Sequence, residues 1–249
     1  MRKGMIKRSG SYDIMFTAET NMDNKTVVII AHGFGSSKES PTAQMLMKEL
    51  PRHGIGAIAF DFPAHGESPV DGEFLTIDNC IDDLMDVEEL VRNQNPGVDV
   101  VYFGSSFGAY ITLNYIYGCR LRGARAFLRS AAVNMPDLFR NPTDEERQSL
   151  EENGYVMLDY DNGRPLKVTE EFINDLWEHD LFKRFRTFGA DIRMIHGSSD
   201  ETIDYGRAKE FAEINDIDMT TVDDGDHRLS IPGAPERVLS EVLEFLNVQ

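Results

Sequence analysis

Residues 104–108 read Gly-Ser-Ser-Phe-Gly, so Ser106 has a glycine two positions before it and another two positions after it. This spacing is typical of a nucleophilic serine held on a tight turn between a strand and a helix. Glycine is needed at both flanking positions because side chains there would collide with neighbouring backbone. Ser105 is the alternative nucleophile, but it lacks this pair of glycines. The motif therefore predicts that the Ser106 hydroxyl stands out above a sheet as a nucleophile.

A serine hydroxyl is a poor nucleophile until a base takes its proton, and the predicted base is His227. This histidine follows the last predicted strand, in a loop that can reach over the serine. Asp200 follows the preceding predicted strand and is predicted to orient the imidazole. The order Ser106, Asp200, His227 differs from the orders in the two other serine-protease architectures. Other carboxylates remain open as alternatives to Asp200, namely Asp204, Asp223, Asp224 and Asp226.

Three other histidines are predicted to have roles outside this relay. His196 is expected to pack at the end of a strand, and His179 to lie on the surface of an insertion. His65 is expected to hold the loop after its strand through hydrogen bonds, because a buried polar ring needs partners.

Acyl transfer also needs donors that stabilise an oxyanion, and two backbone amides are predicted to supply them. One belongs to Phe107, the residue after the nucleophile, and the other to Phe34 in a glycine-rich turn after the first long strand. That turn, residues 32–35, reads His-Gly-Phe-Gly.

The glycine-rich turn does not predict a nucleotide site. Lys38 occupies the position where a dinucleotide motif has its third glycine, and no Gly-Lys-Ser/Thr follows. The chain has no His-x-x-x-His pair, and residues 223–226 are too short for a calcium loop. We therefore expect neither a cofactor nor a metal.

Composition narrows the class of protein further. The chain has 249 residues, with 25 Lys and Arg against 43 Asp and Glu, giving a net charge of −18. This charge repels phosphate backbones and anionic lipid, so we expect no nucleic-acid or membrane partner. The two cysteines, Cys80 and Cys119, form no disulfide framework, and the basic N-terminus has no apolar run behind it. We expect a cytoplasmic protein.

Short β-rich runs alternate with longer helical patterns, which is typical of parallel βαβ units. We predict strands at 26–31, 56–60, 98–103, 124–133, 192–196 and 219–222, after an N-terminal hairpin at 5–7 and 13–18. Helices are predicted at 41–50, 78–91, 107–117, 205–215 and 235–246.

Residues 134–188 interrupt the alternation and are longer than a simple crossover needs. We predict there a hairpin at 155–160 and 166–169 around an Asp-Asn-Gly turn, together with helices. The chain is expected to fold as one domain, 1–249, with this insertion as a lid. Tyr155, Tyr160 and Trp177 are candidates to contact substrate, and packing of the insertion onto the body is the alternative role of its aromatic residues.

These features together resemble the α/β-hydrolase superfamily. The resemblance rests on His32-Gly33-Phe34, Asp61…His65-Gly66-x-Ser68, the turn at Ser106, His196-Gly197-x-x-Asp200 and Gly225-Asp226-His227. Within the superfamily the chain is most similar to small intracellular bacterial esterases, including feruloyl (cinnamoyl) esterases. It departs from many relatives in having Ser105 and Phe107 beside the nucleophile, where they have histidine and a polar residue.

The resemblance implies an α/β-hydrolase fold, with a mostly parallel eight-stranded sheet, helices on both faces and a lid between the sixth and seventh strands. It also implies a carboxylic-ester hydrolase. Ser106 would attack, His227 carry the proton, Asp200 hold the tautomer, and the Phe34 and Phe107 amides bind the oxyanion. The expected partner is a small-molecule ester with an aromatic or short acyl group, and a homodimer is left open.

Two other functions stay open. The same residues could cleave thioesters or small peptides, because shared geometry does not set the substrate. A non-catalytic binding protein on the same fold is the third hypothesis, against which the complete set of catalytic residue types argues.

Overall fold

Strands and helices alternate along most of the chain. The computed structural model describes residues 1–8, 11–160 and 164–248. The strands are β1 (Arg2–Ile6), β2 (Ile14–Glu19), β3 (Thr26–Ala31), β4 (Gly56–Phe60), β5 (Asp99–Ser105), β6 (Arg125–Arg129), β7 (Tyr155–Leu158), β8 (Leu166–Thr169), β9 (Asp191–Gly197) and β10 (Asp218–Val222). The α-helices are α1 (Pro41–Glu49), α2 (Ile77–Gln94), α3 (Phe107–Gly118), α4 (Asp144–Asn153), α5 (Glu170–Glu178), α6 (Leu181–Arg184), α7 (Tyr205–Ile214) and α8 (Ala234–Phe245). Within these described ranges, no helix has the length and apolar character needed to cross a membrane.

Eight of the strands form one sheet in the order β1-β2-β4-β3-β5-β6-β9-β10. The pairs β1–β2 and β2–β4 are antiparallel, and every pair from β4 to β10 is parallel. The predicted mostly parallel, eight-stranded sheet is confirmed. Because the parallel strands all end at one edge of the sheet, the loops that follow them meet there.

Helices cover both faces of the sheet, and the side chains of β3 alternate between two cores as the period of a strand requires. Val27 and Ile29 belong to a core that includes buried residues of α2, α3 and α7. Val28 and Ile30 belong to a second core, formed with α1 and α8. Burial on both faces explains why this strand is a continuous apolar, β-branched run.

Two predicted strands differ from the structure by three or more residues at one end. The strand predicted at 124–133 ends at Arg129, because Ser130 adopts a left-handed conformation with φ 47° that turns the chain out of the sheet. The first strand of the N-terminal hairpin begins at Arg2 and not at residue 5; it is an edge strand, and its weak burial gave little signal. The turn of that hairpin was expected across residues 9–11, of which 9 and 10 lie outside the described residues.

The insertion, residues 134–188, separates β6 from β9. It contains α4, the hairpin β7–β8, α5 and α6. The hairpin is confirmed, with Tyr155 paired to Thr169 and Leu158 paired to Leu166. The predicted Asp-Asn-Gly turn at 161–163 lies outside the described residues.

His179 fastens the insertion to the body of the protein, and its predicted surface position is wrong. The residue is only 9% exposed, with Nδ1 2.9 Å from Asp175 Oδ1. Its Nε2 lies 3.5 Å from a carboxylate oxygen of Asp78 in the first turn of α2. Asp175 also accepts a hydrogen bond of 2.6 Å from the amide of Ile77. The ring is buried because α5 docks against α2, a contact between segments far apart in the chain.

This contact predicts that the attachment of the insertion depends on pH. Burial alone would lower the pKa of His179, but Asp175 raises it above the ordinary 6.5, with Arg184 opposing. The protonated ring therefore stabilises the fold fully below pH 6.5 or so, and this contribution is lost as pH rises through the raised pKa. We expect His179→Gln to be less stable than wild type in urea at acidic pH, and the difference to shrink as pH rises. Asp175→Asn, which removes the charge that raises the pKa, should flatten the same profile; a difference independent of pH would contradict this account.

Candidate active site

Ser106 lies between β5 and α3 in a conformation that few residues with a side chain adopt, with φ 53° and ψ −112°. The chain reaches this turn only with glycine on either side. A Cβ on Gly104 would lie 2.6 Å from the Cα of Ala109, and a Cβ on Gly108 would collide with the carbonyl of Ala31. The tight strand-to-helix turn expected from the pentapeptide is present.

The structure brings Ser106, His227 and Asp200 together, although they are far apart in the chain. His227 Nε2 lies 3.0 Å from Ser106 Oγ. On the other side of the ring, Nδ1 lies 2.8 Å from Asp200 Oδ2 and 3.0 Å from Oδ1. His227 comes from the loop between β10 and α8, and Asp200 from the loop after β9, so both are delivered by neighbouring parallel strands that end at the same edge.

Three groups besides His227 hold the carboxylate of Asp200. Its Oδ1 accepts from the amides of Thr202, at 2.9 Å, and Ile203, at 2.7 Å. Its Oδ2 lies 3.0 Å from Nε2 of His196, whose ring also contacts the Ile203 carbonyl. Burial by itself raises the pKa of Asp200, but the hydrogen bonds from His196 and His227 lower it well below its usual value. The carboxylate is therefore ionised at neutral pH and can accept a hydrogen bond from the imidazole of His227.

The alternative carboxylates have other positions. Asp204 caps α7 by accepting from the amide of Arg207 at 2.8 Å. Asp226 accepts from the amide and hydroxyl of Ser230, at 2.6 and 2.7 Å. Among the described residues, Asp200 is the carboxylate that contacts the side chain of His227.

The two amides predicted for the oxyanion lie beside the serine and are free to donate. Gly33 approaches Ser106 so closely that a Cβ there would lie 3.4 Å from the serine Cβ, which puts the turn carrying Phe34 next to Ser106. Phe107 is the first residue of α3, where an amide has no acceptor within the helix. In the part of the chain that the structure describes, neither amide donates a hydrogen bond. Two donors are thus available where negative charge would develop.

The ring of Phe34 joins the active-site turn to the insertion. It stacks on Phe172 of α5 with centroids 5.5 Å apart, and meets Phe139 and Tyr160 edge-on at 6.0 and 6.2 Å. It also contacts Phe107 at 5.3 Å. Aromatic residues of the insertion therefore pack it onto the body, the alternative role considered for them.

A cavity of about 490 Å³ opens beside Ser106 and His227. It lies between the glycine-rich turn, the start of α1, and the loop that leads into α8. Tyr160 lines it, whereas the structure brings neither Tyr155 nor Trp177 into its described lining. The Tyr155 ring faces Lys167 Nζ at 4.3 Å, and the Trp177 ring faces the guanidinium of Arg140 at 5.3 Å. These two rings form cation–π contacts within the insertion, which the sequence pattern could not reveal.

Buried polar contacts hold the loop between β4 and α2. Asp61 accepts from Lys38 Nζ at 2.5 Å and from the Lys38 amide at 2.8 Å. His65 Nδ1 lies 2.8 Å from the carbonyl of Pro63, as expected of a histidine that fixes its loop. Burial lowers the pKa of His65 to about 3, so its ring is neutral. Lys38, which stands where a dinucleotide motif has glycine, thus forms a buried ion pair with Asp61.

Sequence reasoning missed Arg129, which is buried in the wall of the cavity at the end of β6. Its guanidinium donates to Ser105 Oγ from Nε and Nη2, at 3.1 and 2.6 Å. The only available signal was a charged residue inside a predicted buried strand, at 124–133.

Comparisons with known proteins identify the family and the fold. Residues 22–156 match the model of the family described as serine aminopeptidase, S33. No curated protein sequence matches the chain.

Among solved structures, a putative hydrolase from Agrobacterium vitis S4 has a TM-score of 0.84 at 23% identity, covering 100% of this chain and 99% of its own. Mouse alpha/beta hydrolase domain-containing protein 10 has a TM-score of 0.80 at 16% identity, covering 99% of each chain. Est1E from Butyrivibrio proteoclasticus, solved with ferulic acid bound, has a TM-score of 0.77 at 19% identity, covering 98% of this chain and 99% of its own. At these identities the three structures establish the fold, and the family match covers more than half of the sequence. The chain is therefore an α/β hydrolase and belongs to the serine hydrolase family described as serine aminopeptidase, S33.

Proposed function

We propose that this protein hydrolyses carboxylic esters through an acyl-serine intermediate. The observation that carries the proposal is the position of the His227 ring, 3.0 Å from Ser106 Oγ on one side and 2.8 Å from Asp200 on the other. A neutral imidazole in this position accepts the serine proton at Nε2 while donating from Nδ1 to a carboxylate.

In the first half-reaction, Ser106 Oγ attacks the ester carbonyl carbon as His227 Nε2 takes its proton. The tetrahedral oxyanion receives hydrogen bonds from the Phe34 and Phe107 amides. The C–O bond to the alcohol then breaks, and the imidazolium protonates the leaving oxygen. In the second half-reaction, His227 deprotonates a water that attacks the acyl-serine, and the proton returns to Ser106 as the acid departs.

The insertion, residues 134–188, is proposed to act as a lid over this site within a single domain. Tyr160 supports this role because it belongs to the insertion and lines the cavity beside the nucleophile. The contact of Phe172 with Phe34 supports it as well, since it joins the insertion to the turn that carries an oxyanion donor.

The family description also raises a second candidate, the removal of an N-terminal residue from a peptide. An aminopeptidase must bind the ammonium group of its substrate, and a carboxylate is the usual partner for that charge. The described lining of the cavity contains arginine and hydroxyl groups and no Asp or Glu. This charge distribution favours an ester over a peptide with a free N-terminus. The aromatic acid bound to Est1E makes hydroxycinnamate esters one substrate class to include.

A fluorophosphonate probe tests the nucleophile, and three matched substrates test the reaction. We expect the probe to label Ser106, with labelling slowed when an ester substrate is present. Among an oxygen ester, a thioester and an aryl amide of the same acid, the oxygen ester should show the highest kcat/KM. A protein that does not react with the probe would be a binding protein on this fold, and a preference for the amide would make it a peptidase.

A further inference from the structure

The cavity beside Ser106 differs in charge from the rest of the protein. The chain has 43 acidic against 25 basic residues, yet the described lining of the cavity contains Arg129, Arg228 and His227 and no carboxylate. A cavity of this sign in an acidic protein attracts anions and repels cations.

Arg129 carries a buried charge that forms no direct ion pair with a carboxylate of the described residues, although the charges of Asp200 and Asp226 favour its protonated form. The residue is 8% exposed, and its side-chain N–H groups donate only to neutral oxygens. Besides Ser105 Oγ, it donates from Nη1 to the carbonyls of His227, at 3.3 Å, and Arg228, at 2.6 Å. No Asp or Glu of the described residues lies within ion-pair distance of it. A buried charge without a carboxylate in direct contact is costly, so the site is suited to an anion that arrives with the ligand.

The hydrogen bonds of Arg129 also leave room for a ligand. A guanidinium has five N–H groups. Nε and Nη2 each donate to Ser105, and Nη1 donates to two carbonyls. One N–H of Nη2 is left without an acceptor among the described residues. Burial lowers the pKa of Arg129 to about 10, so the group is still protonated at neutral pH.

Arg228 adds a second positive charge at the mouth of the cavity. It is exposed, and it forms no ion pair with the residues that the structure describes. Its charge lowers the pKa of Arg129, by less than burial does and against the opposing effect of Asp200 and Asp226. Two positive charges beside one cavity repel one another, and an anion bound there relieves the repulsion.

The first turn of α1 completes the same wall. Ser40, Pro41 and Thr42 line the cavity at the helix N-terminus. Pro41 has no N–H and the Ala43 amide donates to Ser40 Oγ, so the Thr42 amide and the helix dipole are the features there that favour a negative charge. Ser36 lines the cavity too, and its hydroxyl supplies a further donor, whereas the hydroxyl of Ser230 donates to Asp226.

We propose that this cavity binds a carboxylate of the substrate, so that the enzyme acts on esters carrying a free carboxylate, such as monoesters of dicarboxylic acids. The inference rests on the proposed function, because it places the scissile carbonyl at Ser106. The carboxylate then lies between Arg129 and Arg228, whose planar groups suit two parallel hydrogen bonds. The volume of about 490 Å³ is that of a small-molecule site.

A matched pair of esters tests the proposal: the mono-4-nitrophenyl ester of adipic acid and its methyl ester, which lacks the charge. Wild type should have the higher kcat/KM for the anionic ester, and added salt should lower this preference. Arg228→Gln should lower the ratio between the two esters by about tenfold, the value of one charge-assisted hydrogen bond. Arg237→Gln is the matched control, because Arg237 lies on α8, pairs with Glu241 and is not part of the lining. It removes the same charge and should leave the ratio unchanged.

Binding measurements separate this inference from the proposed reaction. Calorimetry with adipate should show binding to wild type and to Ser106→Ala, and weaker binding to Arg228→Gln. Adipate binding without any ester hydrolysis would support the anion site and contradict the proposed esterase. Equal turnover of the two esters, with Arg228→Gln leaving the ratio as in wild type, would overturn the anion site and leave the esterase standing.

Discussion

Replacing Ser106 with alanine is expected to lower kcat on a short 4-nitrophenyl ester by about 10⁴- to 10⁶-fold, as loss of a nucleophile does in serine hydrolases. The hydroxyl is the only nucleophile that the described site presents to His227 Nε2, at 3.0 Å. Without it, no acyl-serine forms, and the oxyanion donors act only on attack by water. The measurement is pre-steady-state kinetics with substrate in excess, in which wild type should release a burst of nitrophenol that the variant lacks.

Ser105→Ala is the matched control for this experiment. Ser105 is the neighbouring serine, and its hydroxyl accepts from Arg129 and does not contact His227. Its removal should change kcat far less than removal of Ser106, and the burst should persist. If Ser106→Ala kept the burst and Ser105→Ala lost it, the nucleophile would be Ser105 and our assignment of Ser106 would be wrong.

The second large effect is expected at the carboxylate. Asp200→Asn should lower kcat by about 10⁴-fold while leaving KM nearly unchanged. The asparagine oxygen would keep the hydrogen bonds from the amides of Thr202 and Ile203, so its NH2 group would face Nδ1 and favour the wrong tautomer of His227. The ionised state of Asp200 is maintained by His196 and His227, whose hydrogen bonds lower its pKa. Steady-state kinetics across pH measure the loss, and circular dichroism shows whether the fold is retained.

Asp204→Asn is the matched control for the carboxylate. Asp204 caps α7 through Oδ1, and asparagine caps a helix about equally well. Its kcat should therefore stay close to wild type. A large loss in Asp204→Asn combined with a small one in Asp200→Asn would assign the acid to a different loop from the one that contacts His227.

The sequence was most informative where a local pattern has one structural solution. The continuous apolar run of β3 predicts a strand covered on both faces, and the structure places it between two cores. Glycine at 104 and 108 predicts a tight turn, because only glycine allows the approach of Ala109 and Ala31. The order of Ser106, Asp200 and His227 also follows from the positions of predicted strands, since parallel strands deliver their loops to one edge.

The tertiary structure decided whatever depends on contacts between distant segments. Asp200, and none of the four alternative aspartates considered from the sequence, contacts the side chain of His227, because the loops after β9 and β10 meet in one orientation. His179 is buried, because α5 docks against α2. Tyr160 reaches the cavity where Tyr155 and Trp177 do not.

Arg129 shows most clearly the difference between what the sequence predicts and what the tertiary structure decides. Its charge is visible in the sequence, but its partners are the backbone carbonyls of residues 227 and 228, almost 100 positions away along the chain. Propensity and periodicity describe the local geometry of one segment, so they determined the strands, the helices and the turn that carries Ser106. They carry no information on which side chains meet across the sheet edge, and that packing alone gave the cavity its positive charge.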